Sequence, residues 1–252
     1  MPELEGRPRV QKIWKRIERY CIPKLKFCIT VNQSIAKLYE DEYGVKFNVV
    51  RNVPNVVPIE RRTRAELGLP EDKLIIILQG AGININRGAE ELMHSMLYLD
   101  GYLLLIIGGG DVFEKLKFMR IDSALEDKVM ILDKMPRSQM MSYTAVADLG
   151  ATLDKPLSTN YLLSLPNKIF DYIMAGIPVL SSDLVELRGI IEKYDIGVVT
   201  PSHNPQDIAA AIQKVLGHPE KYNALKANTA KALTDLNWEK EKRFWLIFTH
   251  NY

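Results

Sequence analysis

From residue 74 onward, short wholly apolar runs alternate with stretches whose apolar residues recur every three or four positions. LIIILQ precedes a helical pattern at about 88–98, and YLLLII (102–107) precedes one at about 111–120. VMIL is followed by SQMMSYTAV, ADLGATL by the helical part of SLPNKIFDYIMAGIPVLSSD, PVLSS by VELRGIIEKY, and IGVV by DIAAAIQKVL. An unbroken apolar run marks a strand covered on both faces, and helices between such strands make the sheet parallel. With right-handed connections, the expected fold is α/β, a Rossmann-like doubly wound parallel sheet.

The first 55 residues stand outside that alternation. Residues 9–21 predict a helix with Val10, Ile13, Trp14, Ile17 and Cys21 along one face. FCITV reads as a strand, QSIAKLYEDEY as a helix and FNVV as a second strand. RNVPNVVP, with Pro54 and Pro58, reads as a linker. Two strands are too few for a sheet of their own, so residues 1–55 are expected to be the remnant of a preceding domain. From Arg7 to Lys26 there are eight basic residues against one acid, Glu18. That segment has two readings: a solvated basic face on a helix packed through its apolar stripe, or peripheral contact of 7–26 with an anionic membrane.

Composition narrows the function classes. The chain has 252 residues, 47% hydrophobic and 25% charged, which fits a folded globular protein. A net charge of +2 gives no electrostatic case for nucleic acid. Cys21 and Cys28, both in apolar surroundings, form neither a disulfide framework nor a zinc spacing. No apolar run approaches a membrane span, and MPELEGRPR lacks the apolar core of a signal peptide. The expected location is therefore cytoplasmic, with the inner face of the membrane as the peripheral alternative.

Several residues have a local structural reading. Asp183 and Glu186 have the spacing of a capping box before VELRGIIEKY. Asn204, Pro205 and Asp207 fit N-cap, N1 and N3 of the following helix. In GGGD (108–111), Asp111 reads as a cap after a tight turn.

Candidate chemistry lies beyond the carboxyl ends of the strands, where open parallel sheets bind ligands. In QGAGININRG (79–88), Gly80 and Gly82 allow close backbone approach, and Arg87 stands beside Gly88 at a helix start. A cation there opposes the helix dipole unless an anion faces it. The run lacks the third glycine of a dinucleotide fingerprint. In SLPNKIFDYIMAGIPVLSSD, Pro166 fits N1, Lys168 places a second cation in a first turn, and Gly176 with Pro178 ends the helix. Asp171, three residues on, is either the partner of Lys168 in a surface ion pair or an acceptor for ribose hydroxyls. Two such loops on one sheet edge suit a diphosphate. His94, His203, His218 and His250 have no metal-ligand spacing, and neither a D-x-D pair, a Walker loop nor a G-x-S-x-G elbow occurs.

SLPNKIFDYIMAGIPVLSSD resembles the signature of the group 1 (family 4) retaining glycosyltransferases of GT-B fold, in the subset with P-N-K-[IL]-F-[DE]-Y and A-x-G-x-P-V. LQGAGININRG, LLLIIGGG and VMILDKMPRSQMMSYTAVADLG are similar to successive donor-domain segments of that family. The resemblance implies that Gly80, Gly82, Arg87, Gly88, Asn167 and Lys168 bind a donor diphosphate. It also implies that Asp171 meets the ribose and that backbone at Lys134 and Met135 frames the base. It makes 56–235 the donor-binding domain of the GT-B C-terminal half and 236–252 a final helix returning toward the first domain. It implies a nucleotide-diphosphate hexose as donor, a saccharide or lipid-linked acceptor, and no metal or other cofactor.

Two departures stand out. Leu163 occupies the position of the first acid in the family's acid-x7-acid pair; the resemblance also implies that most of the acceptor half is absent from this stretch. The catalytic side chain is therefore unassigned. The alternatives are a non-catalytic nucleotide-sugar-binding module that needs an acceptor-domain partner chain, and a GT-B epimerase or hydrolase, for which no residue speaks.

Overall fold

The structure, a computed structural model, describes residues 7–249. Readings that fall on 1–6 and 250–252 lie outside the described residues.

The chain begins with α1 (Pro8–Cys21), β1 (Cys28–Thr30), α2 (Gln33–Tyr43) and β2 (Phe47–Val49). Contrary to the expectation that two strands are too few for a sheet of their own, β1 and β2 pair in parallel as a separate two-stranded sheet, with α2 as the crossover between them. The main domain then runs β3 (Leu74–Gly80), α3 (Ala89–Ser95), β4 (Tyr102–Gly108), α4 (Phe113–Asp122), β5 (Val129–Asp133), α5 (Arg137–Val146) and β6 (Leu149–Thr152). It continues through α6 (Thr159–Leu162), α7 (Lys168–Ala175), β7 (Val179–Ser181), α8 (Val185–Tyr194), β8 (Gly197–Val199), α9 (Pro205–Leu216), α10 (Pro219–Asp235) and α11 (Trp238–Thr249).

The main sheet has six strands, all parallel, in the order β5–β4–β3–β6–β7–β8. The doubly wound sheet expected from the apolar runs is present. β3 is followed by β4 on one side and β6 by β7 on the other, so the chain reverses direction between β3 and β6. The loops beyond those strands part there and leave a crevice.

Burial explains why the strands read as continuous apolar runs. Ile76, Leu78, Leu104 and Ile106 pack with Leu92 and Met93 of α3, Leu116 of α4 and Ile212 of α9. Ile75, Ile77, Leu103, Leu105 and Ile107 pack on the other side with Phe170 of α7, Leu187 of α8 and Ala232 of α10. Burying each such Leu or Ile contributes about 1.5–3 kcal/mol. Tyr172 of α7 lies flat on the sheet at Gly150, where a Cβ would stand 2.3 Å from the ring. Its hydroxyl donates to the Ala151 carbonyl at 2.9 Å, and burial pushes the phenol well above its ordinary value. α7 is thereby fixed to the floor of the sheet next to the crevice.

Several boundaries differ from expectation. α8 has Leu184 at its N-cap and no side-chain cap. Asp183 pairs with Arg188, and Glu186 accepts the Ser34 N–H of α2 at 2.8 Å, so no capping box forms. Asp111 does not cap α4; it accepts the Ile85 N–H at 2.7 Å and ties the two glycine loops together. α7 starts at Lys168 with Asn167 as N-cap, which puts Pro166 before the helix rather than at N1. The pattern at 88–98 divides into α3 and a short 3-10 turn over Met96–Tyr98. Asn204 caps α9 as expected, accepting the Gln206 N–H, and Gly176 ends α7 in the left-handed conformation.

The N-terminal segment docks through polar contacts. Lys15 pairs with Glu42 at 2.9 Å, and the Tyr43 hydroxyl donates to Glu18 at 2.6 Å. The apolar stripe of α1 faces outward: Ile13 is 59% exposed, Trp14 47% and Ile17 44%. Packing through that stripe is thus not what holds the helix. Cys21 is exposed as well, while Cys28 is buried. Asn32 caps α2 and also donates to the Leu163 carbonyl at 2.7 Å. In α11, Glu241 pairs with Arg51 at 3.0 Å, which joins the C-terminal helix to the segment after β2. Among the described residues, no helix is long and apolar enough to cross a membrane.

Candidate functional site

The crevice between β3 and β6 opens into a cleft of about 470 Å³, within the range of small-ligand sites. Gly80, Gly82 and Arg87 line it from the β3–α3 loop, Lys134 and Met135 from the β5–α5 loop, and Asn167, Lys168 and Asp171 from the start of α7. These residues, scattered over nearly a hundred positions of sequence, share one concavity. Gly88 lies behind the wall. It is left-handed (φ 72°), and a Cβ there would stand 2.3 Å from the Leu153 carbonyl oxygen. Its part is to let the loop pack against the segment after β6.

Two cations meet in the cleft. Arg87 Nη1 lies 3.2 Å from Oδ1 of Asp154, a residue with no solvent exposure. Its guanidinium also stacks near the Tyr161 ring, 5.3 Å from the centroid. Lys168 has no carboxylate of the described residues within ion-pair distance, including Asp171. Burial holds the Lys168 ammonium below the ordinary lysine value; Asp154 raises it and Arg87 lowers it further. A lysine kept without a close counter-ion beside an arginine is electrostatically poised for an incoming anion.

Backbone donors add to this. The N–H groups of Ala81, Gly82 and Lys168 bond to no described residue, and those of Lys134 and Met135 are likewise open. The carbonyls of Lys134 and Met135 also have no partner among the described residues. Open donors and acceptors along one wall suit a planar heterocycle, and open donors near two cations suit phosphate.

Asp171 is held from two sides. Arg137 Nη2 approaches Oδ1 at 2.5 Å and Gln79 Nε2 donates to Oδ2 at 3.1 Å. Gln79 is itself buried and accepts from the Thr144 hydroxyl at 2.5 Å. The surface ion pair between Lys168 and Asp171 is absent; Arg137 takes its place. Arg137, Asp154, Gln79 and Thr144 escaped the sequence reading because no local motif marks them. The one available signal is Arg137 at a helix start, a further cation set against a dipole.

Leu163 does not line the cleft, and its carbonyl is engaged by Asn32. Among the described residues, no group of three or more His, Cys, Asp or Glu side chains is placed to hold a metal ion.

Comparison with known proteins agrees with this architecture. The chain is similar to D-inositol 3-phosphate glycosyltransferase of Acidothermus cellulolyticus, with 22% identity over 231 residues, covering 84% of this chain and 50% of that protein. It is also 26% identical over 133 residues to the amylovoran biosynthesis glycosyltransferase AmsK of Erwinia amylovora, covering 52% of this chain and 33% of that one. The chain thus spans half or less of the length of these curated relatives. Among solved structures, Anabaena HepE in complex with UDP-glucose superposes with a TM-score of 0.73 at 14% identity, covering 94% of this chain and 67% of that one. Sucrose-phosphate synthase from Thermosynechococcus elongatus gives 0.71 at 19% identity, covering 88% and 57%. At these identities the structural likeness concerns the fold. The profile described as glycosyl transferases group 1 matches residues 60–232, well over half of the sequence, and the chain belongs to that family.

Proposed function

We propose that the cleft binds a nucleoside-diphosphate sugar and that the chain is the donor-binding half of a retaining glycosyltransferase. The diphosphate lies against Arg87, Lys168 and the open N–H groups of Ala81, Gly82 and Lys168. Asp171 accepts from the ribose hydroxyls, and the base runs along the backbone of Lys134 and Met135. The observation that carries this reading is the meeting of Arg87 and Lys168 on one cleft, with no close carboxylate beside the Lys168 ammonium. That Anabaena HepE was solved with UDP-glucose supports a nucleotide sugar as the ligand class.

In the transfer reaction the bond between the sugar's anomeric carbon and the diphosphate breaks. Negative charge then builds on the departing β-phosphate, and fixed cations and amides stabilise it most at that moment. Arg87 and Lys168 are assigned that task without a metal. The sugar, a hexose by resemblance, passes to a saccharide or lipid-linked acceptor with its anomeric configuration retained.

The acceptor side belongs to a further domain or partner chain. The exposed stripe of Ile13, Trp14 and Ile17, together with the half-length match to the relatives, supports that assignment. A binding module without turnover is the second reading, favoured by Leu163 at the place of an acid. Calorimetric titration with UDP, GDP and their sugars tests the donor site; heat absent for every one of them contradicts it. Binding with neither transfer nor hydrolysis, measured together with an acceptor-side domain, favours the module.

A further inference from the structure

Asp154 is fully buried and sits two residues beyond β6. Its position is tightly held. The Ser182 hydroxyl donates to the Asp154 carbonyl at 2.7 Å, and the next residue, Lys155, donates its N–H to the Asn86 carbonyl at 2.9 Å. Asn86 directly precedes Arg87, so this bond joins the Asp154 segment to the arginine loop.

The contact between the two side chains is incomplete. Nη1 and Oδ1 are 3.2 Å apart, whereas Arg87 Nε and Asp154 Oδ2 are both buried and without a hydrogen-bond partner. A buried donor left open on Arg87 is unfavourable, and so is a buried acceptor left open on Asp154. The Nη1 contact does not use the planar edge of the guanidinium formed by Nε and Nη2, which has no partner among the described residues. That edge presents two parallel N–H donors, the pattern that a phosphate accepts as a bidentate pair.

We propose that Asp154 is a positioning residue that holds Nη1 of Arg87 and so aims the Nε–Nη2 edge of the guanidinium at the diphosphate. The proposal rests on the donor-site reading and extends it to a residue that does not line the cleft. Asp154 acts through Arg87 and need not touch the ligand. Two opposite effects of its charge can be separated by experiment. A carboxylate that served only as a nearby negative charge would repel the diphosphate, so its removal would tighten binding. A carboxylate that orients Arg87 has the reverse effect on removal.

The test is calorimetric titration of wild type, Asp154→Asn, Arg87→Ala and the double variant with UDP, or with GDP if UDP does not bind, and with uridine or guanosine as the phosphate-free control. Asp154→Asn is expected to weaken diphosphate binding roughly tenfold to a hundredfold, the scale of a charged hydrogen bond, with nucleoside binding unchanged. In the double variant the losses are expected not to add, since both act through one guanidinium. The pH profile supplies a second readout. Arg87 and Asp154 are the charged groups felt by Lys168, and Asp154 raises its proton affinity. In Asp154→Asn the alkaline loss of binding is therefore expected at lower pH.

Diphosphate binding equal to or tighter than wild type in Asp154→Asn overturns the proposal and leaves the donor site standing. Wild type that binds neither nucleoside diphosphate overturns both. Because a buried substitution can impair folding, the wild-type protein provides an independent check. Its Arg87 Nε–H resonance, assigned by its loss in Arg87→Lys, is expected to move downfield and exchange more slowly with water on adding the diphosphate. A signal that stays unmoved in the saturated complex overturns the proposal.

Discussion

Arg137 and Asp171 are joined by a 2.5 Å contact across the cleft, and Gln79 holds the second oxygen of the same carboxylate. The acid assigned to the ribose is thus fixed before any ligand arrives. Its partners come from α5 and β3, so the position of α7 relative to both decides where the carboxylate points. Asp171→Ala is expected to weaken UMP and UDP by similar factors, since both carry the ribose. It also strands the buried Gln79 amide, at a cost of about 1–3 kcal/mol in stability. Titration calorimetry and urea denaturation measure the two effects separately.

Lys168 links binding to pH and to stability. Burial lowers its proton affinity in the folded chain below the ordinary value of 10.5. The unfolded chain therefore binds more protons between the folded value and 10.5, and this group makes stability rise with pH across that window. Below the folded value the buried charge destabilises the fold by a constant amount. Lys168→Met is expected to unfold at higher urea than wild type at neutral pH, with the gap narrowing toward pH 10.5, and to bind UDP more weakly. A variant less stable than wild type at neutral pH contradicts this account of the buried ammonium.

Gly150→Ala places a methyl group against the Tyr172 ring at 2.3 Å. Overpacking of this kind typically costs about 1–3 kcal/mol, and here it also pushes α7 off the sheet. Tyr172→Phe, which removes the hydroxyl shared between the Ala151 and Ile77 carbonyls, is expected to cost about 1 kcal/mol. Urea midpoints rank the two, and Gly150→Ala is expected to lose donor affinity while Tyr172→Phe keeps it.

How much of this was legible in the sequence depends on range. β3 and β4 were readable because Ile75–Leu78 and Leu103–Ile107 are buried on both faces, which makes the whole run apolar. α10 leaves no mark in the sequence: its buried positions, Leu225, Thr229 and Ala232, are too sparse and too small to form an apolar stripe. The capping expectation at Asp183 and Glu186 failed for a tertiary reason. Glu186 serves the backbone of α2, 152 residues earlier, and Asp183 serves Arg188.

The candidate site divides in the same way. Arg87 and Lys168 stood out because each is a cation at a helix start, a local anomaly. Asp154 has no local anomaly to mark it; Arg137 shares that of a cation at a helix start, but nothing local ties it to Asp171. Their partners lie 67 and 34 residues away, and only the sheet order brings them together.

The outward stripe of α1 carries its own expectation. If an acceptor-side domain covers Ile13, Trp14 and Ile17, the isolated chain exposes an apolar patch prone to association. Trp14→Glu with Ile17→Glu is expected to suppress concentration-dependent association in analytical ultracentrifugation without lowering thermal stability. Vesicles of anionic lipid separate the membrane reading of the same segment. Co-sedimentation that is lost at high salt would favour the bilayer as the cover of this helix.

The central claim is that Arg87 and Lys168 together hold a diphosphate. Its most direct measurement compares UDP and uridine, or GDP and guanosine, by calorimetric titration into wild type and the Arg87→Ala, Lys168→Ala double variant. The account predicts that wild type binds the diphosphate far more tightly than the nucleoside and that the double variant binds the two alike. A double variant that keeps the preference for the diphosphate, or a wild type that has none, contradicts it.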